Sequence, residues 1–306
     1  MYAIVLHGGA GRHQADEAPQ LLESMRAATE RAIRLLVAGA SALDAVVAAV
    51  MALEDNPLFN AGTGGSLNID GHLEMDAAVM VGADLRCGAV AALQRVRNPV
   101  QVARAVMEQT NHVLLAGEGA QRFARAAGFD DYDPVTDDAR IAYSKALRQL
   151  GNVNSSRFTG LRKMLDAYPQ LRPGTVGAAA LDSSSGLAAA TSTGGMSLKM
   201  AGRVGDTPIA GAGNYATTFG AASATGHGEI MLRCLATKTL CDLMEAGQSA
   251  QQSIDAGMAR IVADFGKDAG LIAVDKNGGI GVGHATDGMP HAYYREGGEL
   301  VTGVRF

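Results

Sequence analysis

Residues 175–195, TVGAAALDSSSGLAAATSTGG, constrain the fold more than any other stretch of the chain. They read as two short strands of small and β-branched residues, joined by a turn from Asp182 to Gly186. Before them runs an irregular segment, 150–174, whose Asn, Ser, Gly, Arg and Pro residues carry only weak periodicity. A connection that long inside a compact domain is usually functional or disordered, and it reads as a mobile linker. A second, strand-rich half therefore begins at Thr175.

Ahead of the linker, MYAIVLHGGAGR reads as a buried strand entering a glycine turn. Helical spacing follows at 17–38 and 41–54, the second with Ser41 and Asp44 placed as a capping box with Asp in the Glu position. Asp70-Gly71 predicts a hairpin, with strands dominating 65–94. Helices are expected at 98–109, 117–127 and 138–149, then after the linker at 227–246 and 250–264. A hairpin around Asn277-Gly278 and a short terminal strand pair close the chain. Runs of strands alternating with runs of helices imply an α+β fold of antiparallel sheets layered with helices.

The chain has 306 residues, 26 basic and 31 acidic, for a net charge of −5. That excludes the basic stripe of a nucleic-acid binder. No apolar run reaches membrane-spanning length, and the first residues lack the basic and apolar regions of a signal peptide. Cys87, Cys234 and Cys241 form no CxxC pair and indicate neither a disulfide framework nor a zinc knuckle. A reduced, cytoplasmic location is expected. The seven histidines show no metal-ligand spacing, so no catalytic metal is implied. Gly211–Ala216 fits a dinucleotide fingerprint only formally, without the preceding long strand or the acidic residue further on.

Chemistry concentrates around the start of the second half. A threonine hydroxyl is a weak nucleophile that needs a base, and one solution is a threonine that becomes an N-terminus and uses its own amine. Cutting Gly174–Thr175 generates that amine, whose ordinary pKa of about 7.7–8.0 suits proton transfer near neutrality. Taken alone, Gly174-Thr175 is also how an ordinary strand opens. Thr193 ends the strand paired with the one that Thr175 starts, so the two hydroxyls can meet. Arg203 and Asp206, in a glycine-flanked loop, can grip a carboxylate and an ammonium, or form a plain surface ion pair. Thr225-Gly226-His227-Gly228-Glu229 precedes a helix and can supply an oxyanion hole, or serve as a glycine-rich cap. His7 and Gly8–Gly11 either support this site or form a buried structural turn.

Taken together these segments resemble the plant-type L-asparaginase and isoaspartyl peptidase family of N-terminal nucleophile hydrolases. The resemblance runs across VLHGGAG (5–11), PLFNAGTG (57–64), EMDAAVM (74–80), RNPVQVARAVME (97–108), HVLLAGEGAQRFA (112–124), GTVGAAALD, ATSTGG, GRVGDTPIAGAGNYA (202–216) and TGHGE. It implies a four-layer αββα sandwich in one domain, 1–306, that cleaves itself into an α subunit, 1–174, and a β subunit, 175–306. By the resemblance Thr175 is the nucleophile, Thr193 assists it, and Thr225 and Gly226 build the oxyanion hole. Arg203 takes the substrate α-carboxylate and Asp206 its α-ammonium, while Asn60 and Gly228 complete the substrate site and Asn60 holds the nucleophile region. The loop from Leu53 to Thr63 corresponds to one that wraps a structural sodium ion, with the carbonyls of Leu53, Glu54, Asn56, Phe59, Ala61 and Thr63 as its ligands. No cofactor is implied for catalysis.

The implied substrates are L-asparagine and β-aspartyl dipeptides, and the implied assembly is a dimer of αβ heterodimers without nucleic-acid or membrane partners. The chain departs from the family pattern at Val81, at Gly283–Thr286 and at His291, none of them catalytic positions. Alternatives are a glycosylasparaginase-type hydrolase, and an unprocessed, non-catalytic amino-acid-binding protein.

Overall fold

The computed structural model describes residues 1–11, 13, 16–151, 174–266 and 268–304. From 152 to 173 the expected linker lies outside the described residues. Its first two positions end a helix instead.

Strand β1 (Ala3–His7) leads into α1 (Ala18–Val37) and α2 (Ala42–Glu54), followed by β2 (Met75–Val81), β3 (Cys87–Leu93), α3 (Pro99–Gln109), β4 (Leu114–Ala116), α4 (Gly117–Ala126) and α5 (Asp137–Gly151). The second half runs β5 (Val176–Leu181), β6 (Leu187–Thr193), β7 (Asn214–Ala216), β8 (Gly220–Gly226), α6 (Gly228–Cys234), α7 (Ala236–Glu245), α8 (Ala250–Phe265), β9 (Ala269–Asp275), β10 (Ile280–His284), β11 (His291–Arg295) and β12 (Val301–Gly303). Eight strands form one sheet in the order β12-β11-β1-β5-β6-β2-β3-β4, and four form a second in the order β10-β9-β8-β7. Every described strand–strand ladder is antiparallel except β3 with β4.

The two-residue period of the strands decides what each side chain meets. On β1 and β5, Ile4, Leu6, Val176, Ala178 and Ala180 face a core built with α1, α2 and α3. Their neighbours Ala3, Val5, Ala179 and Leu181 face the opposite way, against Ala221, Ile272 and Val274 of the second sheet. The other face of that sheet, through Ala222, Ala224, Leu271 and Ala273, meets Leu240, Met244, Ile254 and Ile261 of α7 and α8. Strands buried on both faces explain the continuous apolar runs in the sequence. Small residues let the sheets approach closely: a Cβ on Gly177 would lie 2.0 Å from Ser223 Oγ.

Two expectations are corrected. The turn at Asp70-Gly71 forms, with Gly71 N donating to Asn68 O, but strands run only over β2 and β3 and no hairpin encloses it. The Asn68 side chain collects the N–H groups of Asp70 and His72, while Leu67 and Ile69 pair with Leu198 and Lys199 rather than with each other. The helix expected over 227–246 breaks at Leu235, which adopts a left-handed conformation (φ 45°, ψ 56°). There the chain turns so that Lys238 N reaches Gly211 O, a tertiary bond that helix propensity cannot foresee. The Ser41 cap forms on its backbone side, accepting from Asp44 N. Its hydroxyl proton goes to Asp44 Oδ2 instead of completing a reciprocal box.

Candidate active site

The register of β5 with β6, Val176 opposite Ser192, brings Thr175 level with Thr193 at the open end of the hairpin. There the Gly174 carbonyl receives two hydrogen bonds, from Thr193 Oγ1 at 2.6 Å and from Asn60 Nδ2 at 3.1 Å. Asn60 is fixed in turn, since its Nδ2 also donates to Gly195 O at 2.7 Å and its Oδ1 accepts from Ser66 N at 2.7 Å. Gly195 N donates to Thr193 Oγ1 at 2.9 Å, leaving the threonine proton free for Gly174. Two donors on one carbonyl, immediately before a buried threonine, polarise that peptide bond.

Gly174, Thr175, Thr193, Gly195, Arg203, Gly205, Asp206, Gly226 and Gly228 line one cleft with Met196. Its free space is about 10 Å³, room for about one water. Thr225 sits just behind, fully buried, its Oγ1 accepting from Ala10 N at 3.1 Å. A hydroxyl that accepts in this way keeps its own proton to donate. A separate cavity of about 280 Å³ between α5 and the loops holding Ser66 and Ser197 contains none of the predicted site residues.

Arg203 and Asp206 reach the same cleft, but they are not an ion pair with each other. The Arg203 guanidinium is held by Glu229 through two parallel bonds, Nε to Oε1 at 3.0 Å and Nη2 to Oε2 at 2.8 Å. His227 Nδ1 lies 3.0 Å from the same Oε2. Burial acts to raise the Glu229 pKa, but the adjacent His227 and the two bonds from Arg203 outweigh it and hold the carboxyl well below the usual range. Glu229 in turn raises the pKa of His227. Asp206 is buried, no hydrogen bond reaches its Oδ2 among the described residues, and burial pushes its carboxyl up to about 6. An ionised carboxylate with one unpaired buried oxygen is a ready receptor for a cation. Gly228 separates the two side chains: a Cβ on it would lie 2.8 Å from Arg203 Nη2 and 2.9 Å from Asp206 Oδ1.

Beneath β5 lies His7, fully buried, with Nε2 2.8 Å from Ser223 Oγ, itself 3.2 Å from Thr191 Oγ1. Burial drives its pKa down to about 3. The neutral ring supports β5 from below. Gly9 packs on the Gly174–Thr175 junction, where its Cβ would stand 3.2 Å from Gly174 Cα.

The loop after α2 closes on itself: Thr63 N donates to Glu54 O, Phe59 N to Asn56 O and Asn56 N to Leu53 O. No backbone N–H of the described residues donates to the carbonyls of Phe59, Ala61 or Thr63, although Phe59 and Ala61 are buried. The Glu54 side chain points elsewhere, accepting from Val100 N at the start of α3, and burial pushes its carboxyl up to about 8.

Sequence reasoning missed Glu229, although it stands inside the TGHGE segment. The signal was its place one residue after Gly228, in the first turn of α6. Sequence reasoning also missed the burial of Lys199, Glu74 and Asp76: Glu74 and Asp76 stand inside EMDAAVM, Asp76 within β2, and Lys199 in a loop, and nothing local marks which charged residue the fold buries.

An asparaginase family model matches residues 1–304. The chain is 47% identical over 300 residues to the plant-type L-asparaginase of Pyrococcus furiosus, covering 97% of each chain. It is 40% identical over 312 residues to the isoaspartyl peptidase of Escherichia coli, covering 98% of this chain and 95% of the relative. To the isoaspartyl peptidase/L-asparaginase of Danio rerio it is 41% identical over 279 residues, covering 90% and 86%. With the match spanning the chain and including the cleft around Gly174 and Thr175, this protein belongs to the asparaginase family.

Proposed function

We propose that the chain is an autoprocessing amidohydrolase that cuts itself between Gly174 and Thr175 and then hydrolyses the side-chain amide of L-asparagine or of β-aspartyl dipeptides. The observation that carries this is the Gly174 carbonyl, held by Thr193 and Asn60 directly before Thr175. In cleavage the Thr175 hydroxyl oxygen adds to the Gly174 carbonyl carbon, and the negative charge that develops on Gly174 O meets the Thr193 and Asn60 donors. The C–N bond to Thr175 breaks as its nitrogen takes up a proton, leaving an ester. Water then hydrolyses the ester, freeing the Gly174 carboxylate and the Thr175 amine.

The freed amine is the base for the second reaction. Arg203 takes the α-carboxylate and Asp206 the α-ammonium of the substrate, leaving its side-chain amide toward Thr175. Thr175 Oγ attacks the amide carbon while the amine accepts the hydroxyl proton and passes it to the leaving nitrogen. The Thr225 hydroxyl and the backbone at Gly226 stabilise the oxyanion. Ammonia or an amino acid leaves, and water cleaves the β-aspartyl ester to L-aspartate. The Arg203–Glu229 pair supports this assignment, since it fixes the guanidinium of a cleft-lining residue through Nε and Nη2 and leaves Nη1 for the substrate carboxylate.

The same reading takes the stacking of helices on both outer sheet faces as the four-layer αββα sandwich, with α (1–174) and β (175–306) subunits forming one domain. It assigns a sodium ion to the 53–63 loop. The buried carbonyls of Phe59 and Ala61, with those of Thr63, Leu53, Glu54 and Asn56, offer the oxygen donors a hard cation takes, and the ion would order the loop that carries Asn60. It also takes the cleaved protein to be a cytoplasmic dimer of αβ pairs; no described helix is long and apolar enough to cross a membrane.

The test is the intact mass under denaturing conditions after incubation at neutral pH, followed by an ammonia-release assay. Two species of about 18 and about 14 kDa, apportioned from 31.4 kDa by residue count, with the smaller beginning at Thr175 and active on L-asparagine, are expected. A single inactive 31.4 kDa species, or hydrolysis that persists in Thr175→Ala, overturns the proposal.

A further inference from the structure

Lys199 is among the largest fully buried side chains of the protein, 1% exposed, and none of the steps above uses it. Its Nζ donates to Glu74 O at 2.8 Å and lies against Gly195, where a Cβ would stand 2.7 Å from the nitrogen. Gly195 is the residue that ties Thr193 to Asn60 and forms part of the cleft wall. The backbone between Gly195 and Asp206 is then gripped twice more from the same side. Glu74 accepts from Gly202 N through both carboxylate oxygens, at 3.2 and 3.0 Å. Asp76, fully buried, accepts from Ala92 N at 2.8 Å and faces Gly205 N at 3.4 Å.

The charges that face Lys199 are Asp76, Glu74 and Arg203, and those that face Asp206 are Arg203, Asp76 and Glu229, with His227 bound behind Glu229. A buried ammonium is costly unless opposite charge and hydrogen bonds compensate it, and Asp76 and Glu74 supply both.

We propose that Lys199 is a positioning residue for substrate binding: its ammonium, seated between the Glu74 carbonyl and Gly195 and balanced by Asp76, fixes the Gly194–Asp206 segment and the field in which Asp206 holds the substrate ammonium. The proposal rests on the amidohydrolase reading only for the identity of the ligand.

Binding of L-aspartate to the cleaved protein, measured by calorimetry from pH 5 to 8, tests it, together with KM and kcat for L-asparagine. Removing the ammonium leaves Asp76 uncompensated, which disfavours ionised Asp206. By loosening the Gly194–Asp206 segment, Lys199→Met is expected to weaken L-aspartate about tenfold at pH 7, and by exposing Asp206 to Asp76 to move the acid-side loss of affinity up by about half a pH unit, raising KM more than it lowers kcat. Asp76→Asn alone reverses the sign and moves that loss downward. Lys199→Met/Asp76→Asn returns it to the wild-type position. An unshifted acid side in both single variants, or a double variant no different from Lys199→Met, overturns the proposal whatever happens to thermal stability. Where Lys199→Met does not accumulate folded, Asp76→Asn decides: a downward shift supports the proposal and an unmoved profile overturns it. Wild-type protein that is uncleaved or binds no L-aspartate overturns the amidohydrolase reading and this proposal with it; shifts absent on a competent wild type overturn this proposal alone.

Discussion

The Thr193 hydroxyl donates to the Gly174 carbonyl at 2.6 Å, across the open end of the hairpin that β6 forms with β5. That bond aims a donor at the oxygen where negative charge develops if Thr175 attacks. Thr193→Val keeps the shape and removes the donor, so conversion of the 31.4 kDa chain to two fragments is expected to slow by about 10²-fold or more. Thr193→Ser is expected to restore most of the rate. Time-resolved intact mass reads both, and an undiminished rate in Thr193→Val removes Thr193 from cleavage.

Glu229 fixes the Arg203 fork by two charge-assisted bonds. Glu229→Gln cannot accept both guanidinium bonds, and the loosened fork is expected to raise KM for L-asparagine by about ten- to a hundredfold, with a smaller effect on kcat. Steady-state kinetics at pH 7.5 check it; a KM equal to wild type means that Arg203 is oriented without Glu229.

Asp206, raised to about 6 by burial, predicts a pH dependence of binding. If Asp206 takes the substrate ammonium as proposed, only its ionised form attracts it, and L-aspartate affinity is expected to fall by up to about tenfold per pH unit as pH drops below about 6. The stability effect has the opposite sign. Because the folded pKa lies above the ordinary 3.8, ionised Asp206 costs folding free energy at neutral pH and none below both values. Asp206→Asn is therefore expected to gain stability, on the order of 2 kcal/mol at pH 7, while losing L-aspartate binding. Paired melting and calorimetry measure the two effects, and a variant less stable than wild type at pH 7 contradicts the raised pKa.

Gly228→Ala places a methyl 2.8 Å from Arg203 Nη2 and 2.9 Å from Asp206 Oδ1. Both neighbours are ends of side chains, so the fold can yield, but the space between them is lost. Chain cleavage at Gly174 is expected to continue at its normal rate while L-aspartate binding weakens by about tenfold or more. A variant that binds normally shows that ligand does not span the two side chains.

His7 is buried neutral with a pKa of about 3, so the unfolded state binds the extra proton between that value and 6.5. Its contribution to stability is complete above pH 6.5 and is lost as pH falls toward 3, by at most about 1.4 kcal/mol per unit. Asp206 and Asp76, raised by burial, act the other way, so the diagnostic quantity is the difference from a variant. The stability gap between wild type and His7→Gln is expected to narrow from pH 7 to pH 4.5 by about 2–3 kcal/mol in chemical denaturation. A gap that stays constant means His7 is not held neutral.

The strands and helices were legible wherever periodicity and turn chemistry were local. The β5–β6 and β9–β10 hairpins follow from small and β-branched runs flanking Asp182–Gly186 and Asn277-Gly278, and α1 and α2 from their apolar spacing. The errors occur where a tertiary partner overrules a local preference. Leu67 and Ile69 pair with the loop at Leu198 and Lys199, and Leu235 breaks a helix so that Lys238 N can reach Gly211 O.

Hydroxyls, charges and glycines are properties of residues, so the segments holding Thr175, Thr193, Arg203 and Asp206 were legible as candidates for nucleophilic and amino-acid-binding chemistry before any fold was known. Their partners come from the fold. Asn60 meets Gly174 from 114 positions away. Arg203 turns to Glu229 rather than Asp206, and Lys199 and Asp76 lie buried under the cleft wall. Partners and burial depend on which chain segments the sheets bring within hydrogen-bonding distance, and charge strength and pKa follow from that burial rather than from residue type.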